Sequence, residues 1–232
     1  MKPENYCYEY PRPAVTTDCV IFGFDAGELK LLLIERGIEP YKGKWAFPGG
    51  FLNMEENAEE CARRELFEET GIQNVFIEQL YTFSDVDRDP RGRVITVSYI
   101  AFVKRSDFKI QAGDDANHAK WFPISLVPPL AFDHDHILRV ALNRLRVKIR
   151  YQPIGFELLP EKFTLPELQN LYEIVFEMKL NGRNFRKKIL ESGLLIDHPE
   201  SMKGVPQKGA TYFSFDTKKY NELSERGFHI EI

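Results

Sequence analysis

The sequence predicts an α+β sandwich on a mixed sheet, followed by a smaller unit of two helices and a β-ribbon. Three observations predict it. Short β-rich runs alternate with one strongly marked helix in the first half. The loop at 126–136, with two prolines, ends that pattern and leads into a helical apolar stripe. The rest of the chain runs helix, turn, helix, strand, loop, strand.

Taken in order, Val15–Phe24 and Leu29–Arg36 read as strands joined by an Asp-Ala-Gly-Glu hairpin turn at 25–28. Trp45–Phe51 follows, then a helix over about 58–70. Further strands are expected near Val75–Ser84, Arg93–Lys104 and Ala119–Phe122. Ile137, Leu138, Ala141, Leu142, Leu145 and Ile149 then line one helical face. This helix is read as a connector, which divides the chain into a domain at 1–133, a linker helix at 134–152 and a second domain at 153–232.

Composition narrows the class. With 43% hydrophobic and 28% charged residues among 232, the chain is an ordinary globular one. No run approaches the roughly 20 apolar residues that span a bilayer. The first residues, MKPENYCYEYPRP, lack the apolar segment of a secretory leader. Cys7, Cys19 and Cys61 are too few and too scattered for a disulfide framework or a zinc site. The expected location is the cytoplasm, with no membrane partner. Residues 1–133 carry 15 basic against 22 acidic side chains, a balance of −7; residues 134–232 carry 16 against 13, a balance of +3. Such a surplus is commonplace by itself.

The most informative stretch is GFLNMEENAEECARRELFEETGI at 50–72. Asn57 and Glu60 have capping-box spacing, and Gly71 supplies a left-handed terminator. Glu65 and Glu69 stand at i and i+4, and Glu68 at i+3 from Glu65, so the three carboxylates share a face. Acidic helix residues usually form a solvated face. Clustered like charges instead suit a hard divalent cation with oxygen preference, Mg²⁺ or Mn²⁺. Such an ion can bridge phosphate oxygens and activate water. Arg64 and Glu56, eight apart, are placed to clamp the entry loop to the helix.

Nine positions (Gly50, Glu56, Arg64, Glu65, Leu66, Glu68, Glu69, Gly71, Ile72) fit Gly-x5-Glu-x7-Arg-Glu-Leu-x-Glu-Glu-x-Gly-Ile. The run resembles the Nudix hydrolase box, and Trp45–Phe51 looks like the strand leading into it. The resemblance implies a Nudix fold over about 14–132. It also implies metal-dependent attack on a nucleoside diphosphate linked to another group. Glu65, Glu68 and Glu69 would then be metal ligands, Glu56 an auxiliary ligand or loop clamp, and Arg64 an orienting group. Catalysis further needs a general base, whose position the box does not fix; Glu78, Asp85, Asp114 and Asp115 are candidates. The segment 88–99 resembles the ADP-ribose-processing and regulatory branch, so Arg88, Arg91 and Arg93 are expected effector contacts. A solvated hairpin tip is the competing reading of that loop.

In the second half, Thr164 and Glu167 form another capping box, and Leu165, Leu168, Leu171, Tyr172 and Val175 supply an apolar face. After the turn at Asn181-Gly182 a short helix begins near Arg183. Between Met178 and Leu190 there are five basic residues and no acidic one. Two helices about a short turn, the second basic, make a helix-turn-helix candidate. Leu194–Asp197 and Ala210–Phe215 read as strands flanking a wing that holds Lys203 and Lys208. Arg183, Asn184, Arg186, Lys187 and Lys188 would face the major groove, and the wing lysines would face phosphates.

The succession of a Nudix box, Phe163-Thr-Leu-x-x-Leu-Gln-x-x-Tyr-Glu and Asn184-Phe-Arg-Lys-Lys-Ile is similar to the Nudix-related transcriptional regulators. That resemblance implies a Nudix sandwich plus a C-terminal winged helix-turn-helix. A homodimer would bind double-stranded operator DNA, and the Nudix domain would take a small effector, either an ADP-ribose-like metabolite or a sugar such as arabinose. Regulators of this group often have eroded boxes, whereas this box is complete. A Mg²⁺-dependent pyrophosphatase acting on ADP-ribose or a nucleotide sugar is therefore the alternative.

Overall fold

The computed structural model describes residues 8–104, 116–198 and 211–225. Strand β1 (Ala14–Asp25) occupies the middle of a seven-stranded sheet. It pairs antiparallel with β2 (Glu28–Arg36) and with the short β4 (Gly49–Phe51), and parallel with β6 (Val94–Lys104). β5 (Glu78–Phe83) extends the β6 edge, while β3 (Trp45–Ala46) and β7 (Ala116–Pro123) extend the β2 edge. The β1–β2 turn uses Ala26 at φ 50° and Gly27 at φ 76°, left-handed conformations suited to a tight hairpin. The expected strand at 45–51 is split in two around Phe47-Pro48.

β1 is apolar at successive positions because both of its faces are covered. Cys19 and Ile21 face helix α1 (Ala58–Thr70), packing with Ala62, Leu66, Ile72 and Trp121. Val20 and Phe22 face the other way, into a larger core. The ends of α1 match expectation: Asn57 and Glu60 close a reciprocal capping box, and Gly71 ends the helix at φ 74°.

Helix α2 (His134–Tyr151) lies on the second face, burying Ile137, Ala141, Leu145 and Ile149. The same apolar core continues without a break into the second unit. It takes in α3 (Ile154–Leu158), α4 (Leu165–Phe176), α5 (Gly182–Glu191) and the ribbon of β8 (Leu195–His198) with β9 (Tyr212–Phe215). α6 (Thr217–Ser224) closes the unit. The hairpin tip of the sheet also touches α4, where Asn170 Nδ2 donates to Gly27 O at 3.2 Å. The segment between β8 and β9, expected to form a wing, lies outside the described residues.

Candidate effector site and nucleic-acid interface

Two glycines bring strand β4 against α1. A Cβ on Gly49 would stand 2.0 Å from Thr17 O, and one on Gly50 would stand 2.3 Å from Glu65 Oε1. A side chain on Gly49 would collide with the β1 backbone, and one on Gly50 would displace the Glu65 carboxylate. Gly49 N–H also donates to Glu69 Oε2 at 2.8 Å. Glu69 is therefore turned inward and 9% exposed. Burial pushes its carboxyl up to about 8, with Glu65 and Asp18 adding to the rise that the Gly49 N–H opposes. Burial likewise raises Glu65, against the pull of Arg64.

Arg64 is the hub of the exposed side of this cluster. It forms a bidentate pair with Glu56 at 2.6 and 2.9 Å, and also donates to Glu65 at 2.7 Å and Glu68 at 3.0 Å. A further bond to Phe51 O at 3.2 Å ties the entry loop to the helix. The same guanidinium, helped by the Asn53 N–H, holds Glu56 down at about 2. The expected Glu56–Arg64 clamp is thus present.

The carboxylates do not gather as a metal site in this arrangement. Their oxygen chemistry suits a hard cation. Glu68, however, is committed to Arg64 and Glu69 to Gly49. Among the described residues no three acidic, histidine or cysteine side chains converge to hold an ion. Glu78, a candidate base, is paired with Lys148 and Arg144 on α2. Asp114 and Asp115 lie outside the described residues.

Beside this cluster a narrow cavity of about 60 Å³ opens between β1, β2, the 88–91 loop and the start of α2. At its mouth Arg36 sits over the Phe132 ring at 4.7 Å, and Arg91 sits over Phe51 at 4.7 Å and Phe132 at 5.1 Å. Tyr41 meets Phe132 edge-on at 4.9 Å. Burial and the nearby Arg91 lower the pKa of Arg36. Its Nε donates to Pro40 O at 2.8 Å, whereas its Nη2 is buried without a hydrogen-bond partner among the described residues. An orphaned guanidinium nitrogen beside a second cation and three aromatic rings is chemically a site for an anionic, ring-bearing ligand.

The three arginines expected to meet an effector divide. Arg91 lines the mouth and is braced by Asp89, with its closest bond at 2.6 Å. Arg88 lines the cavity floor but is bonded to Asp133 at 2.6 and 2.9 Å. Arg93 turns away, donating to the carbonyls of Ser84 at 2.8 Å and Asp85 at 3.1 Å. Sequence reasoning missed Arg36, Phe132, Asp133 and His134. His134 Nδ1 accepts from the Phe47 N–H at 3.0 Å, so its Nε2 is left to face Asp18 Oδ1 at 3.4 Å. Burial lowers its pKa despite Asp18, keeping the ring neutral.

In the second unit the helix-turn-helix is built as expected. Thr164 caps α4 through a reciprocal box with Glu167. Asn181 caps α5 by accepting from Asn184 N at 3.0 Å. Phe185 and Ile189 are buried, and Phe185 meets Tyr172 edge-on at 5.4 Å. Arg183, Asn184, Arg186, Lys187 and Lys188 are all exposed. Glu173, the last residue of the Phe163–Glu173 motif and given no role there, ties α4 to the turn: it accepts from Lys179 Nζ, Leu180 N and Gln169 Nε2 at 2.6, 3.1 and 2.8 Å. The Lys179 bond leads in holding Glu173 down at about 2. Lys203 and Lys208 lie outside the described residues.

A mixed sheet with a Glu-rich helix against a Gly-Gly strand, joined through one core to a basic helix-turn-helix, defines a two-domain protein with a ligand pocket and a DNA-binding face. Comparison with known proteins agrees. The NUDIX domain model matches residues 12–141, and the NrtR DNA-binding winged helix domain model matches residues 155–215. The ADPR responsive transcriptional repressor NtrR of Acinetobacter baylyi is 37% identical over 217 residues, covering 92% of this chain and 86% of that protein. Shewanella oneidensis NrtR complexed with a 27mer DNA superposes with a TM-score of 0.69 at 33% identity, covering 87% of this chain and 93% of the other. The NUDIX domain of the same protein complexed with ADP ribose gives 0.57 at 35% identity, covering 61% and 94%. This chain belongs to the Nudix-related transcriptional regulators that carry an NrtR-type winged helix. Among the described residues no helix is long and apolar enough to cross a membrane.

Proposed function

We propose that this regulator takes an ADP-ribose-like effector in the Nudix cavity and thereby changes its hold on operator DNA. The observation that carries the reading is the exposed cationic face of α5, on a unit whose core is continuous with the sheet that walls the cavity. Arg183, Asn184, Arg186, Lys187 and Lys188 would enter the major groove, with Lys203 and Lys208 beside phosphates. A homodimer would match a two-fold operator.

Arg36 and Arg91 support a diphosphate effector, because a neutral pentose has no use for two adjoining guanidiniums. The named relatives support ADP-ribose in the same way, and none of them supports arabinose. The cavity is well below the roughly 300 Å³ of ordinary ligand sites. Binding therefore requires the 88–91 loop or Phe132 to move. A divalent metal is accessory in this reading, since its capture would require Glu68 to leave Arg64. The two-domain division at 1–133, 134–152 and 153–232 follows α2, which starts at His134 and ends at Tyr151.

The intact box favours a second reading, pyrophosphate hydrolysis. Glu69→Gln would then abolish release of products from ADP-ribose with Mg²⁺. The regulatory reading is tested by binding to a duplex from the chain's own promoter region. Specific, salt-sensitive binding supports it. Fast hydrolysis with no DNA binding at low salt contradicts it.

A further inference from the structure

Helix α2 begins at the effector cavity and ends in the core it shares with the winged helix. Its N-cap is Asp133, a position whose side chain ordinarily accepts from an N–H in the first turn of its own helix; here that donor is Asp135 N–H, since His136 N–H already bonds Asp133 O at 2.8 Å. Asp133 makes no such bond. Both of its oxygens are instead turned to Arg88 at 2.6 and 2.9 Å, and the Arg88 side chain is only 3% exposed. Arg88 also has Asp18 Oδ2 at 3.8 Å, so it would keep one anion if Asp133 left.

At its far end α2 is joined to both units. Arg146 Nε donates to Val175 O of α4 at 3.0 Å, Lys148 pairs with Glu78 of β5, and Leu145 and Ile149 are buried in the common core. One helix therefore connects the cavity with the DNA-binding unit.

The geometry points to a latch: the Arg88–Asp133 pair holds α2 in its effector-free setting, and an anionic effector releases it. This rests on the effector reading above. Arg88 lines the cavity floor beneath Arg36 and Arg91, facing the region where a diphosphate would enter. When the phosphate recruits Arg88, the freed Asp133 leaves its present backbone setting (φ −94°, ψ 18°) for the extended one of a capping residue, and its carboxylate accepts from Asp135 N–H. The switch has two discrete arrangements with named partners in each, which gives an effector a differential affinity to act on. Asp133 is a positioning residue, acting through Arg88 on the ligand and through α2 on the DNA.

The test compares full-length wild-type chain with Asp133→Asn and Asp133→Ser by calorimetry with ADP-ribose. Both replacements cap helices well but cannot hold the ion pair. The latch predicts roughly five- to tenfold tighter ADP-ribose binding by both variants, because Arg88 no longer has to be withdrawn from a partner. A merely structural pair would give weaker binding on its loss. Equal or weaker binding by correctly folded variants overturns the latch while the effector reading stands. No binding by the wild-type chain overturns both. Hydrogen exchange on the wild-type chain gives a readout that needs no variant: ADP-ribose should protect the amide of Asp135, whereas that of His136 already bonds Asp133 O. Unchanged exchange there, with ligand bound, also overturns the latch.

Discussion

Glu69 sits where burial disfavours the charge its type ordinarily carries. A buried carboxyl titrating near 8 rather than in the ordinary acid range favours the protonated folded state. The folded chain then binds a proton that the unfolded chain has released. The contribution is complete below about pH 4.5 and is lost as pH rises through about 8. Glu69→Gln keeps the shape and the acceptor for the Gly49 N–H without the charge. It should therefore be more stable than wild type at pH 9, by an amount on the order of 1–3 kcal/mol, with little difference at pH 5. Thermal unfolding of both proteins at the two pH values checks this. Arg36→Ala should weaken ADP-ribose binding roughly tenfold or more, since a charge-assisted bond is lost, and should do so equally in EDTA. Undiminished affinity would remove Arg36 from the site. The acidic cluster was legible in the sequence because i and i+4 spacing is local. Arg36, Phe132 and Asp133 were not, because each acquires its partner across tens of residues of chain. Arg88 shows the converse: its loop chemistry marked a ligand contact, and only the fold revealed a carboxylate already holding it.

Among the elements, α5 carries the exposed cations of the proposed DNA face, and Glu173 of α4 bonds the turn that leads into it. Lys187→Ala should weaken DNA binding across sequences and reduce the steepness of its salt dependence by about one counterion. Glu173→Ala should weaken DNA binding without removing any cation from the face, because the turn at 177–181 loses its bonds from Lys179 and Leu180 at once. Anisotropy titrations at several salt concentrations distinguish the two effects: the second should lower affinity at an unchanged slope. Helices with clear caps were readable within a residue or two: α1 and α4 begin where Asn57 and Thr164 placed them, and α5 begins at Gly182, one residue before the expected Arg183. α3 and α6 were not anticipated. α3 is five residues with no side-chain cap, and α6 has no buried residue, so neither offers a periodic apolar stripe. The strand at 45–51 was read as one because composition does not show that Phe47-Pro48 leaves the ladder.

At the scale of the molecule, the core joins what the sequence separates. The apolar face of β1 and β2 that holds Val20, Phe22, Leu31 and Leu33 is continuous with Leu168, Leu171 and Phe185 of the helix-turn-helix. The strand at Val15–Phe24 was read from its β-rich composition, and only the fold shows that the second unit helps to cover one of its faces. The proposed coupling between cavity and DNA face would therefore run through packing as well as through the linker helix. The charge asymmetry along the sequence has a physical location in this picture, with the acids about α1 and the exposed cations on α5. The most direct measurement titrates ADP-ribose into full-length chain bound to a labelled promoter duplex, following anisotropy while calorimetry reports ligand occupancy. The account predicts that DNA affinity changes as the cavity fills, by roughly five- to 150-fold at saturation. ADP-ribose binding to saturation with DNA affinity unchanged would contradict it.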